Sequence, residues 1–407
     1  MDQQEFKSHQ QLGQDLQLFF FDETSPGSCF FLPNGTIIFN RLAKYIRSLY
    51  RKYDYSEIKT PILCHQSLME RSGHWEKYKE NMFLLQKERY GVEQAEKQED
   101  EKVYILSCMN CPKSCLVFEH MHPSYKQMPI RLADCGSLHR NEFSGALRGL
   151  TRVRLFHQDD AHIFCRDDQV EQEILNVLNM IEEVYLRFNI SFEMVISTRP
   201  AEYIGSIAVW DKAEKVLKDV CLNRFGSCVV DEGGGAFYGP KIDITIKDKQ
   251  GRQHQCATVQ LDFNLPERFS LSYINEQGQK EQPVMIHRAI FGSFERFIAV
   301  LLEHTQGSLP FWLSPRQIYI VPIGKEQHDY CVDLGKRLAK YEVYVDISDE
   351  HLKNKIKLAV ERKYNYIFVV GKKEVESSSV NIRSRSTVIG SKPVDELLAF
   401  LKNTANN

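Results

Sequence analysis

The sequence predicts a mixed α/β (α+β) protein, with an antiparallel sheet in a large N-terminal part and a mixed sheet with flanking helices in a C-terminal part. Residues 131–165 contain two β-type runs joined by a polar, glycine-containing loop, which is typical of an antiparallel hairpin. Residues 317–402 alternate between strand-like and helix-like patterns, which favours a mixed sheet between helices. The segment 310–315 holds two prolines in six residues, so we expect two domains, 1–312 and 313–407.

Composition excludes several classes of protein. The 407 residues carry a formal net charge of -2, so any RNA contact must use local basic patches rather than bulk charge. No apolar run approaches the ~20 residues that span a bilayer, and the acidic N-terminus is unlike a secretory or mitochondrial leader. Eleven scattered cysteines, an odd number, fit reduced thiols in the cytoplasm better than a disulfide framework.

Periodicity predicts the main elements of the N-terminal part. Residues 1–15 are polar and are expected to form a frayed lead-in, and residues 38–50 show helical spacing. Residues 58–61 read as a strand that a proline closes, and residues 87–102 read as a solvated, highly charged hairpin or loop.

The second run of the hairpin carries an unusual polar face. Alternation along one strand predicts that six side chains share this face. Arginines suit phosphate groups, whereas an aspartate and a histidine two residues apart suit an amine or a metal. The combination indicates a site for an activated amino acid, the plainer alternative being an exposed polar strand. The six residues are Arg152, Arg154, Phe156, Gln158, Asp160 and His162.

Two further runs are informative. Three cysteines lie within residues 108–115, but a closed zinc or iron–sulfur site would need a fourth ligand, and no second CxxC is present. Residues 232–243 are glycine-rich, which allows the backbone close to a ligand. They lack the Gly-Lys-Ser/Thr ending of a P-loop, which excludes a Walker-type NTPase.

The run HRNEFSGALRGLTRVRLFHQDDAHIFC at residues 139–165 resembles motif 2 of class II aminoacyl-tRNA synthetases, in the form found in threonyl-tRNA synthetases. Residues 38–61 resemble motif 1, residues 235–241 (GAFYGPK) resemble an adenylate-pocket segment, and residues 285–297 resemble motif 3. The resemblance extends from about residue 9 to the C-terminus. It implies a class II antiparallel-sheet catalytic domain, followed by a mixed-sheet anticodon-binding domain.

The resemblance also implies the roles of individual residues. Cys111, His162 and His287 would hold one Zn²⁺ per subunit, although Lys113 and Ser114 stand where the family has Gly-His. Catalytic roles fall on Arg140, Arg296, His74 and Lys241. ATP with Mg²⁺ would be bound by Arg140, Glu142, Arg152, Gln260 and Arg296, and threonine by Asp160, Gln158, Tyr238 and Arg140.

Three protein ligands leave an open zinc position, which the amine and β-hydroxyl of threonine can occupy. Valine lacks the hydroxyl, so a site built around it can reject valine by about 10⁴–10⁵-fold, whereas serine is rejected only about 10–200-fold. The family usually carries an N-terminal editing domain for this reason. The sequence begins at the catalytic region, so we expect either that it is a truncated part of a longer chain or that editing is absent or supplied in trans.

The expected partners are tRNA(Thr), ATP, L-threonine and a second copy of the chain, with no membrane. Lys357, Lys363, Glu374 and Arg383 would contact the anticodon, the alternative being a solvated charged face. Two other functions remain open at this point. One is a non-catalytic paralog that binds tRNA or threonine as a regulator, which the Lys113-Ser114 departure favours. The other is an iron–sulfur or redox protein built on Cys108, Cys111 and Cys115.

Overall fold

The computed structural model describes residues 6–85, 103–247, 251–385 and 387–406. The charged segment predicted at residues 87–102 therefore lies outside the described residues. None of the helices within the described ranges is both long and apolar enough to cross a membrane.

The described residues contain α-helices of 5 to 20 residues. Each helix is numbered in chain order. They are α1 (His9–Asp15), α2 (Pro33–Lys52), α3 (Gln66–Arg71), α4 (His74–Tyr78), α5 (Cys111–Met121), α6 (Val170–Arg187), α7 (Ile207–Phe225), α8 (Asn264–Arg268), α9 (Phe294–Thr305), α10 (His328–Arg337), α11 (Leu352–Glu361), α12 (Lys372–Glu376) and α13 (Val394–Asn406).

The strands are numbered in the same way. They are β1 (Phe19–Phe21), β2 (Cys29–Phe31), β3 (Ser56–Glu57), β4 (Leu63–His65), β5 (Leu84–Leu85), β6 (Tyr104–Leu106), β7 (Ile130–Asp134), β8 (Ser137–His139), β9 (Leu155–His157), β10 (Asp160–Cys165), β11 (Phe192–Ser197), β12 (Val229–Asp231), β13 (Lys241–Lys247), β14 (Gln253–Asp262), β15 (Tyr273–Ile274), β16 (Lys280–Glu281), β17 (Val284–Ala289), β18 (Ile318–Pro322), β19 (Val343–Val345), β20 (Tyr366–Val370), β21 (Ser379–Ser384) and β22 (Val388–Pro393).

One compact unit comprises Glu23–Ser28 and Tyr45–Phe297. Its main sheet has eight strands in the order β12-β11-β13-β14-β17-β10-β7-β3. Neighbouring strands are antiparallel except at the two edges, where β12 and β3 pair in parallel. Every residue of β10 and β17 is buried, and the apolar stripe of α6 packs against this part of the sheet. The predicted antiparallel sheet is confirmed.

The other compact unit comprises Met1–Asp22, Cys29–Lys44 and Ile298–Asn407. Its five-stranded sheet has the order β19-β18-β20-β21-β22. The first three strands are parallel, and β21 and β22 return antiparallel, so the predicted mixed sheet is confirmed. The predicted domain boundary between residues 312 and 313 stays a prediction.

Three local predictions need correction. The strand expected at residues 58–61 is instead β3 at Ser56–Glu57. The lead-in expected to be frayed contains α1, because Ser8 and Gln11 form a capping box at its start. The hairpin is present, but β8 pairs with β9 and β7 with β10 in separate sheets. The predicted single face from Arg152 to His162 is therefore interrupted between β9 and β10.

Candidate functional site

The register of the eight-stranded sheet brings polar residues into two adjacent rows. In one row His287 on β17 lies directly opposite both Gln260 on β14 and His162 on β10. In the next row Asp160 lies opposite Asp134 on β7. Because residues two apart on a strand share a face, both rows lie on the same side of the sheet.

Three potential metal ligands converge beside these rows. The ligand atoms of Cys111, His162 and His287 all lie within 4.8 Å of one another, and the three residues are buried. The two imidazole rings meet edge to face, with centroids 4.9 Å apart. Among the described residues, neither ring nitrogen of His162 has a hydrogen-bond partner. A thiolate and two imidazoles form a donor set that Zn²⁺ prefers.

Asp262 orients one of these histidines and was not predicted from the sequence. Its Oδ2 lies 2.8 Å from His287 Nε2, and its Oδ1 accepts hydrogen bonds from the backbone N–H groups of Asn264 and Leu265. Carboxylates of this kind commonly fix the orientation of metal-binding histidines. The sequence offers no signal for this role, because the pairing depends on the register of β14 and β17.

The pKa values of the pocket reflect its burial. Burial raises the pKa of the Asp160 carboxyl to about 7, although the charge of His287 lowers it. Burial also raises the pKa of the Cys111 thiol and lowers the pKa of His162 well below its ordinary value. A neutral imidazole is the form that binds a metal, whereas the thiol needs a cation beside it to ionise.

The motif 2 arginines lie on and beside the interrupted hairpin. Arg140 follows β8, where its guanidinium carbon lies 5.0 Å from the Phe156 ring centre and Nε donates to the Cys108 carbonyl at 3.3 Å. Arg152 lies before β9 and pairs with Glu142 at 2.8 Å. These two predicted ATP ligands therefore contact each other. Gln158 lies in the break between β9 and β10, where its backbone N–H donates to the Gly136 carbonyl.

Arg296 lies in the first turn of α9, as predicted from the motif 3 pattern. Its backbone N–H donates to Ser293 Oγ at 3.1 Å. The neighbouring Glu295 is buried and accepts hydrogen bonds from both the backbone N–H and the ring of His157, at 2.9 and 2.8 Å. This bidentate contact joins β9 to α9, which carries Arg296, and β9 pairs in turn with β8, which Arg140 follows.

His74 lies in a buried aromatic pocket at the start of α4. Its ring lies 6.0 Å from Phe237 and 5.9 Å from Tyr238, and the Tyr238 ring lies 5.6 Å from that of His287. Nδ1 lies 2.9 Å from Ser72 Oγ. Burial lowers the pKa of His74 to about 4, so its imidazole is neutral near pH 7.

Two predicted residues on β13 and β14 complete the face. Lys241 forms an ion pair with Asp243, and the Gln260 amide donates to the Gly239 carbonyl at 3.1 Å. Gly239 lies so close to Leu261 that a Cβ would meet the Leu261 carbonyl oxygen at 1.8 Å. The glycine-rich run therefore packs directly against β14.

The predicted anticodon residues are spread over the smaller sheet. Lys363 precedes β20 and Glu374 follows it, so they lie at opposite ends of a strand that spans about 16 Å. Glu374 accepts a hydrogen bond from the Gly371 backbone at the start of α12. Lys357 lies on α11, where it pairs with Glu361 at 3.7 Å, and Arg383 lies on β21. The topology does not bring these four residues to one end of the sheet.

Family profiles match both parts of the chain. Residues 90–305 match the tRNA synthetase class II core domain (G, H, P, S and T). Residues 317–404 match an anticodon binding domain.

The similar proteins fall in one group. The chain is 48% identical over 402 residues to the human protein named threonine–tRNA ligase 1, cytoplasmic, and 46% identical over 407 residues to its Saccharomyces cerevisiae counterpart. These alignments cover 97% and 98% of this chain but 54% of each relative, so the chain spans about half the length of these curated relatives. A crystal structure titled as the RNA binding domain of Cryptosporidium parvum threonyl-tRNA synthetase has a TM-score of 0.91 at 44% identity, with 98% of both chains covered.

Proposed function

The chain belongs to the threonyl-tRNA synthetases of the class II aminoacyl-tRNA synthetase family, and from this we propose that it is a threonine–tRNA ligase. It would activate L-threonine with ATP and transfer it to the 3′ end of tRNA(Thr). The observation that carries the proposal is the convergence of Cys111, His162 and His287 beside Asp160 on one face of the sheet. We infer a cytoplasmic location from the names of the relatives.

We propose that the three converging residues hold one Zn²⁺. Their donor atoms are those zinc prefers, and both ring nitrogens of buried His162 would otherwise lack a hydrogen-bond partner within the described residues. A bound zinc ion would supply an open coordination position for the amine and hydroxyl of threonine. Asp160 lies beside this position and would accept a hydrogen bond from the substrate.

The two motif arginines would bind the nucleotide. Arg140 would contact the α-phosphate and Arg296 the outer phosphates, with Glu142, Arg152 and Gln260 around the nucleotide and Mg²⁺ offsetting charge. Tyr238, Gln158 and Lys241 would line the amino-acid and adenylate pocket. The threonine carboxylate then attacks the α-phosphorus and diphosphate leaves, so catalysis depends on positioning and charge stabilisation.

His74 would act in the second step, in which the terminal ribose hydroxyl of tRNA attacks the adenylate carbonyl and AMP leaves. Because its pKa is lowered to about 4, His74 is neutral and able to accept a proton near pH 7. Substitution of His74 by glutamine should therefore slow transfer to tRNA while ATP–pyrophosphate exchange continues.

The other parts of the proposal concern partners and domains. We infer a homodimer formed through the motif 1 region and a catalytic domain at residues 1–312. Residues 313–407 would bind the anticodon, in keeping with the profile that begins at residue 317.

Threonine-dependent exchange tests the proposal. The zinc-loaded protein is assayed for ATP–pyrophosphate exchange with threonine, serine and valine, and its metal content is measured. Exchange with threonine, weaker exchange with serine and none above background with valine is the expected pattern. Threonine binding without exchange would instead identify a non-catalytic regulator, and stoichiometric iron would identify a redox protein.

A further inference from the structure

Lys113 lies close to the proposed metal site. It stands in the first turn of α5, two residues after Cys111. Its side chain is buried, with 4% of the residue exposed. Lysine is almost never fully buried unless it is paired, so its contacts need an explanation.

The ammonium group of Lys113 binds the segment that follows β3. Its Nζ donates to the Pro61 carbonyl at 3.2 Å. The preceding Thr60 donates through Oγ1 to Asp134 Oδ2 at 2.5 Å. Asp134 in turn lies directly opposite Asp160 in the sheet. Lys113, Thr60–Pro61, Asp134 and Asp160 therefore form a continuous set of contacts around the start of α5.

The charge of Lys113 acts on this pair of acids. Asp134 and Asp160 are both buried, with 3% and 7% of each residue exposed. Like charges that face each other across neighbouring strands repel. Burial lowers the pKa of Lys113, whereas the carboxyl groups of Asp134 and Asp160 raise it. Lys113 is thus a buried amine near two opposed carboxyl groups.

We propose that Lys113 is a positioning residue for the amino-acid pocket. It anchors the first turn of α5, and with it Cys111, to Pro61, and it offsets the charge of Asp134 next to Asp160. The position of the proposed metal thiolate relative to Asp160 then depends on the Lys113 side chain. This inference rests on the proposed function, since it assumes that Cys111 and Asp160 share a substrate pocket.

The test uses Lys113→Met, which keeps much of the side-chain volume but removes the donor and the charge. Lys215→Met on α7, an exposed position, is the control. Zinc affinity is measured by competition with a chromogenic chelator, and KM is measured for threonine and for ATP in the exchange assay. We expect Lys113→Met to lose about 10–100-fold in zinc affinity and to raise KM for threonine, because it removes support behind a metal ligand. KM for ATP and the control protein should not change.

Several outcomes would overturn the inference. Unchanged zinc affinity and threonine KM would remove the positioning role, and equal rises in both KM values would indicate a general structural defect instead. If Lys113→Met does not fold, Lys113→Gln is measured in its place, and unchanged zinc affinity and threonine KM in that variant would equally overturn the inference. Zinc affinity does not depend on catalysis, so a wild-type protein without threonine-dependent exchange would refute the proposed function and leave this measurement interpretable.

Discussion

At the scale of single residues, Asp262 is a functional residue that sequence patterns do not predict. The sequence predicted Cys111, His162 and His287 through a resemblance, but the carboxylate behind His287 emerges only from the three-dimensional register. We predict that Asp262→Asn lowers zinc affinity about 10–100-fold, because the amide cannot accept as strongly from the imidazole N–H. Chelator competition on the folded variant measures this change. Unaltered affinity would mean that Asp262 acts only on the start of α8.

His74 gives a pH-dependent prediction at the same scale. Burial lowers its pKa from 6.5 to about 4 in the folded protein, whereas the unfolded chain keeps the ordinary value. As the pH falls from 6.5 towards 4, the unfolded state binds a proton that the folded state does not. The free energy of unfolding therefore decreases over this window, and His74 contributes nothing above it.

Replacing His74 by glutamine should remove this part of the pH dependence. Urea unfolding of both proteins at several pH values between 4 and 7 measures the difference. We expect the two stability profiles to diverge progressively as the pH falls. Parallel profiles would show that His74 titrates alike in the folded and unfolded states.

At the scale of elements, local sequence patterns predicted whether a segment is a helix or a strand better than they predicted where it begins and ends. The helical spacing of residues 38–50 corresponds to α2. The capping box at Ser8 and Gln11 was readable in the sequence, yet composition alone suggested a frayed segment. Alternation failed across residues 158 and 159, because Asp159 leaves the strand and its carboxylate accepts from the backbone N–H groups of Ile290 and Phe291. Such long-range contacts have no local signature.

The contact between β9 and α9 provides a prediction about elements. Glu295 accepts two hydrogen bonds from His157, and its side chain is 2% exposed. Glu295→Ala should lower the free energy of unfolding by about 1–3 kcal/mol, since it leaves a partly buried N–H unpaired. It should also raise KM for ATP, because Arg296 adjoins it on α9. Denaturant unfolding and exchange kinetics check both effects, with the exposed Glu171→Ala on α6 as a control. A wild-type KM for ATP in Glu295→Ala would show that this contact does not affect nucleotide binding.

At the scale of the whole molecule, the two sheets predict separable effects on the two reaction steps. Arg383→Glu on β21 should raise KM for tRNA and leave ATP–pyrophosphate exchange unchanged, because exchange needs no tRNA. Lys363→Glu is a comparison variant, because Lys363 precedes β20 and is also predicted to contact the anticodon. The KM for tRNA of both variants is measured by aminoacylation at fixed salt. A wild-type KM for tRNA in Arg383→Glu would show that Arg383 does not contact the anticodon.

The resemblance predicted the class II fold and the proposed metal ligands. The charged residues of the C-terminal part did not predict a single anticodon-binding surface. Four charged residues can be named from a pattern, but only the topology shows that they do not converge. The motif residues were easier to predict, because the resemblance identifies them directly, and the sheet register then places His162 opposite His287.

Cobalt substitution tests the central claim most directly. Co²⁺ replaces the metal at Cys111, His162 and His287, and its visible absorption is followed while threonine or valine is added without ATP. The account predicts that threonine changes the spectrum saturably and that valine at equal concentration does not, because only threonine brings a hydroxyl to the open position. Identical spectra with and without threonine, or equal changes with valine, would contradict it.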